Sequence, residues 1–213
     1  MTNALTTARY PWVHPMALVS SLGGIIIFAS VTITAELTTP GYDVVRQTIS
    51  ELAAGDAPTR IPVTIAFVLT GVCHMLTAIF TPAIGLPGRI ALFTAGVCSQ
   101  LVAAFPLPTV LGTSVEHRFS AMLFFVIMAI WPLLGMRSAS EFPWLLRPWG
   151  AIASTAFIAL FCFIFLGVWA SSNQMAVGLW ERVANDIEGI WPAVVVLTLW
   201  LAQRKRKAHP QKH

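Results

Sequence analysis

Four polar residues, Thr70, His74, Thr77 and Thr81, recur at i, i+4, i+7 and i+11 in an otherwise apolar stretch. On a helix they form one stripe, and an imidazole there can act as a base, a proton relay or a hydrogen-bonding partner. Glu116, His117 and Arg118 make a second polar group, and Glu181, Arg182, Asp186 and Glu188 a third. Arg182 and Asp186 stand i, i+4, so they can pair on one helix face. A fourth segment runs from Pro40 to Leu52 and carries Asp43, Arg46, Ser50 and Glu51.

Several chemistries are open to these groups. His74 or His117 could serve as a general base, with a carboxylate such as Glu188 orienting the ring. The two histidines and one or more carboxylates could ligate zinc if their helices converge. The one HxxxH spacing, His209–His213, lies in the tail; no HExxH occurs, and His14 maps to the opposite side. The expectation is no metal and no cofactor. Ser50 sits in no G-x-S-x-G setting, so it is not read as a nucleophile. No nucleotide-binding glycine motif is present.

The elements that position these groups follow from composition. Hydrophobic residues make up 56% of the 213 and charged residues only 10%. A soluble domain carries about 25% charged residues, so lipid must solvate most of this surface. Six apolar stretches are long enough to span: Met16–Ala35, Ile61–Phe80, Leu86–Phe105, Phe119–Met136, Trp149–Ala170 and Ala184–Gln203. The fold class is all-α, a single polytopic bundle of six transmembrane helices over residues 1–213. Pro82, Gly85, Pro87 and Gly88 make a tight turn, so the second and third spans are antiparallel neighbours. The stretch after Arg9 is too long for a signal-peptide core and is read as a retained first span.

Nine of the 13 Lys and Arg fall on the side of both termini: Arg9, Arg89, Arg137, Arg147, Arg204, Lys205, Arg206, Lys207 and Lys212. The other four are Arg46, Arg60, Arg118 and Arg182. The positive-inside rule then predicts cytoplasmic termini in a prokaryotic plasma membrane, with 203–213 as a basic tail. That basic run reads as an anchor beside anionic lipid and not as a nucleic-acid site. Membrane lipids are the expected partners, and no protein partner is indicated. Trp12, Trp131, Trp144, Trp149 and Trp200 read as markers of the inner interface, and Trp169, Trp180 and Trp191 of the outer one. Cys73, Cys98 and Cys162 all lie in apolar segments and read as small core residues.

Eight of the nine Asp and Glu map to the outer side; only Glu141 maps inside. Pro40–Gly41 turns the chain, Asp43 can cap, and Tyr42, Val45, Ile49 and Leu52 share a helical face. A short amphipathic helix is therefore expected in the first extracytoplasmic loop, as a structural or ligand-contacting lid. Unpaired charge near hydrocarbon is costly. Glu36, Asp43, Arg46, Glu51, His117, Arg118, Arg182, Asp186 and Glu188 are accordingly expected to converge on one polar cluster, with His74 pointing inward below it.

The segments Pro40–Asp43 and Thr48–Leu52, then Phe105–Pro106 with His117, then Glu181–Arg182, resemble the bacterial membrane family known as domain of unknown function 998. The likeness covers nearly the whole chain. That family is distantly similar to eukaryotic Frag1/DRAM/Sfk1 membrane proteins, some linked to lipid remodelling or lipid asymmetry. The resemblance implies six helices and a prokaryotic plasma membrane, and it transfers no catalytic residue. Three functions stay open. The first is a polar extracytoplasmic pocket that binds lipid headgroups or small amphiphiles, through Asp43, Arg46, Ser50, Glu51, His74, His117, Arg118, Arg182, Asp186 and Glu188. The second is an intramembrane lipid-modifying enzyme, and the third a transporter using the His74 stripe. A closed outer pocket favours the first two, and a continuous polar path the third.

Overall fold

The computed structural model describes residues 12–208. Arg9, His209, Lys212 and His213 lie outside the described residues. Six helices are long and apolar enough to cross a membrane: α1 (Pro15–Thr38), α3 (Arg60–Phe80), α4 (Leu86–Ala104), α5 (Val115–Leu134), α6 (Pro148–Ala170) and α7 (Val177–Ala208). A four-residue helix, α2 (Ile49–Leu52), lies between α1 and α3, and a 3-10 turn (Trp144–Leu146) precedes α6. The described residues contain no strand. This is a multi-pass membrane protein.

Local rules set the helix starts. Proline occupies the first turns of α1, α4 and α6, where its missing N–H costs nothing. His14 caps α1, its Nδ1 accepting from Met16 N at 3.2 Å. Ser114 caps α5, its hydroxyl accepting from His117 N at 3.1 Å. The last helix begins at Val177, seven residues before the expected Ala184. Glu181 and Arg182 are therefore helical, where polar content had masked the apolar signal.

Each long helix packs on the next, and α7 returns to α1, so the six close into a ring. Glycines bring the backbones together. A Cβ on Gly71 of α3 would overlap the Gly96 carbonyl of α4, and one on Gly88 of α4 would overlap the backbone of Gly135, just past α5. Such close approach replaces the hydrophobic drive that lipid cannot supply.

The end of the ring at the start of α1 has an apolar core. Val13, Leu92, Met128, Trp131, Val196 and Leu199 form its core. Trp131 belongs to this core and Trp191 packs on Phe157. Gln203 of α7 holds the backbone of Val13 through both its amide atoms, at 3.1 and 3.2 Å. Arg89 caps carbonyls at the end of α3, and Arg137 binds those of Pro82, Ala83 and Ile84. The opposite end, called distal below, carries α2.

Candidate functional site at the distal end

The loop from Thr39 to Thr59 is folded by its own side chains. Asp43 Oδ1 accepts from the N–H groups of Val45 and Arg46, which makes a turn and not a helix start. The expected helix is thus confined to Ile49–Leu52. Thr48 caps it, and Glu51 reaches back to the Thr48 backbone at 3.1 Å in a capping box. Ile49 and Leu52 are buried, while Val44 and Val45 are exposed.

Arg182 of α7 docks this loop. Its Nε donates to Glu36 Oε1 at 2.7 Å, its Nη1 to the carbonyls of Val44, Gln47 and Gly178, and its Nη2 to the Tyr42 hydroxyl. The Tyr42 hydroxyl donates to Gln47 O and Thr48 O. Burial pushes the Tyr42 phenol well above its ordinary value, with Arg182 opposing part of the shift. It therefore stays protonated and keeps its donor role. A Cβ on Gly178 would overlap the Gln47 carbonyl, so only glycine lets the loop approach α7 this closely.

The docked loop delivers Ser50 to His117. Ser50 Oγ lies 3.0 Å from His117 Nε2, and His117 Nδ1 lies 2.9 Å from the carbonyl of Phe105. Phe105 precedes Pro106, which disfavours helical backbone at Phe105 and offers no N–H. Helix α4 ends there and the Phe105 carbonyl is free to accept. A carbonyl can only accept, so Nδ1 carries the hydrogen. A neutral ring then turns the Nε2 lone pair on the Ser50 hydroxyl. Glu181 completes the group. Its Oε2 accepts from Ile49 N, and its Oε1 lies 3.4 Å from Ser50 Oγ. His117 and Glu181 are buried. The α4–α5 loop is pinned to the same structure by Gly55 N to Leu107 O at 2.8 Å and Val110 N to Asp56 Oδ1 at 2.8 Å.

Two cavities flank this group. The distal groove, about 450 Å³, lies among α5, α6, α7 and the two loops. Arg46 and Arg118 are exposed at it, and Leu107, Met122, Phe165, Leu166 and Trp169 form apolar walls. The inner cavity, about 200 Å³, runs into the ring past Phe28, Phe67, Phe124 and Ile190 to His74. Ser50, Ala121, Phe125 and Glu181 line both.

The residues singled out from the sequence divide into separate places. Ser50, His117, Arg46, Glu51 and Arg118 share the distal groove. His74 and Asp186 line the inner cavity. The His74 Nε2 is buried with no hydrogen-bond partner. Asp43 lies at the surface, 3.7 Å from Arg46, a contact that water screens. Asp186 does not pair with Arg182, which is taken by Glu36; no cation lies within 4.0 Å of Asp186 among the described residues. Glu188 is fully buried between α6 and α7, where Cys162 Sγ donates to its Oε1 at 3.1 Å and its Oε2 has no partner. Glu188 therefore orients neither histidine, and the nine expected members do not form one cluster. Glu181, absent from the expected site residues, is central. Its place beside Arg182 among the outer acidic residues was the available signal. Among the described residues, no three His, Cys, Asp or Glu side chains converge as a metal site would require.

No curated protein and no solved structure matches this chain. A family profile, described as a protein of unknown function (DUF998), matches residues 22–198. That match covers most of the ring, including α2, Ser50, His117 and Glu181, and the chain belongs to this family.

Proposed function

We propose that this protein binds an amphiphile with a phosphate-bearing or zwitterionic headgroup at its distal end. The observation that carries this reading is the groove itself, in which Arg46 and Arg118 stand with Glu51 and Glu181 beside an apolar wall of Leu107, Met122, Phe165, Leu166 and Trp169. Arginine presents a planar fork of donors suited to phosphate, and the adjoining apolar wall suits an acyl chain. The inner cavity extends that apolar path into the ring. The packed apolar core at the opposite end favours a closed binding site over a continuous polar path. The nine-to-four distribution of Lys and Arg supports cytoplasmic termini in a plasma membrane, with the groove facing the extracytoplasmic leaflet.

The test is lipid extraction from protein purified in mild detergent, followed by mass spectrometry. Wild type should retain a phospholipid class above its share of the bulk membrane, and the Arg46→Ala/Arg118→Ala double variant should lose that enrichment. Equal lipid profiles in the two proteins would overturn the reading.

A further inference from the structure

The contact between Ser50 and His117 is more than a packing detail. Three features of a nucleophile and its base are present together. The hydroxyl lies 3.0 Å from Nε2, the other ring nitrogen is held by the Phe105 carbonyl at 2.9 Å, and Ser50 lines both cavities. A histidine required only to fill a helix interface needs no cavity on each side of its partner. The carbonyl replaces the carboxylate that orients the ring in the usual triad and imposes the same tautomer. The residues come from three elements, so no sequence motif surrounds the serine.

We propose that Ser50 is the nucleophile and His117 the general base for cleavage of an acyl ester. The scissile carbonyl would sit at Ser50, between the two cavities, with the headgroup in the distal groove and the acyl chain in the inner cavity. This rests on the amphiphile-binding reading above and names the substrate class of that site. Ser50 Oγ bonds to the ester carbonyl carbon as its proton passes to His117 Nε2. The bond from that carbon to the alcohol oxygen breaks, and His117 returns the proton to the departing alcohol. Water then attacks the acyl-serine, His117 takes a proton from it, and Ser50 leaves with that proton restored. The products are a free fatty acid and the deacylated alcohol; a second alcohol in place of water gives acyl transfer. Glu181 is a positioning residue that accepts from Ile49 N and so fixes the backbone next to Ser50.

The test uses the full chain in detergent micelles, with a fluorophosphonate as the covalent probe and p-nitrophenyl octanoate as the chromogenic ester. Wild type should carry the phosphonate on Ser50, located by peptide mass spectrometry, and should release p-nitrophenolate. Ser50→Ala should do neither, and His117→Gln should slow both by about 100-fold or more. Ser50→Cys guards against a variant that fails to fold. Its new thiol should alkylate with iodoacetamide faster than Cys73, Cys98 or Cys162, and the added His117→Gln change should remove that advantage. A monodisperse wild-type protein with an unmodified Ser50 overturns the proposal. If such a protein still shows Arg46- and Arg118-dependent lipid enrichment, the binding reading survives alone. Labelling of Ser50 without lipid enrichment supports the nucleophile and removes the headgroup assignment.

Discussion

Arg182 Nε lies 2.7 Å from Glu36 Oε1, with both side chains about 15% exposed. This pair ties the last helix to the first and closes the ring at its distal end. The remaining Arg182 donors bind three carbonyls and a phenol, so one guanidinium organises the whole first loop.

Removing that guanidinium strands Glu36 and the loop carbonyls. Arg182→Ala should cost about 3–5 kcal/mol, the range for breaking a buried pair. Glu36→Gln keeps a hydrogen-bond acceptor and should cost less. Thermal denaturation in mild detergent, followed by tryptophan fluorescence, measures both. An unchanged midpoint for Arg182→Ala would show that the loop is held elsewhere.

Gly178→Ala places a methyl group where the Gln47 carbonyl now sits. Overpacking of this kind typically costs about 1–3 kcal/mol. The loop should lift from α7, and limited proteolysis should cut between Thr39 and Thr59 faster than in wild type. Equal cleavage rates would show that the contact can relax without undocking.

Glu188 is buried with one carboxyl oxygen unpartnered. Replacing it with methionine removes that orphaned group at similar volume. The expected result is a melting midpoint equal to or above wild type, with a gain of up to about 1–3 kcal/mol. A lower midpoint would mean that the Cys162 contact and the carboxyl group are needed for packing of α6 on α7.

Burial raises the Tyr42 phenol in the folded protein, whereas the unfolded chain ionises near its ordinary value of about 10. Above that pH the unfolded state loses its proton first, so stability falls as pH rises. Below it, this contribution is fully present. Melting midpoints should decline above about pH 10 in wild type, and Tyr42→Phe should lessen that decline. Identical alkaline profiles would assign the loss to another group.

The topology is open to a direct check. Side-specific reporter fusions after Asp56 and at the C-terminus should report opposite faces of the membrane. Matching signals would reject cytoplasmic termini with an extracytoplasmic groove.

The six spans were legible in the sequence because apolar length is a local property, and lipid solvation demands it segment by segment. Helix ends were less so. Helix α7 starts seven residues early because Arg182 and Glu181 find partners in the loop, which spares them the cost that hydropathy assigns to lone charges. Local spacing favoured an Arg182–Asp186 pair, but Glu36 and the loop carbonyls satisfy more of the guanidinium than one carboxylate can. That comparison exists only once α1 and α7 are neighbours. Ser50 and His117 stand 67 residues apart, and Glu181 a further 64 along. Nothing in the capping of α2 or the start of α5 reveals that these residues meet. Closure of the helix ring brings them together, and the end of α4 at Pro106 supplies the carbonyl that aims the histidine.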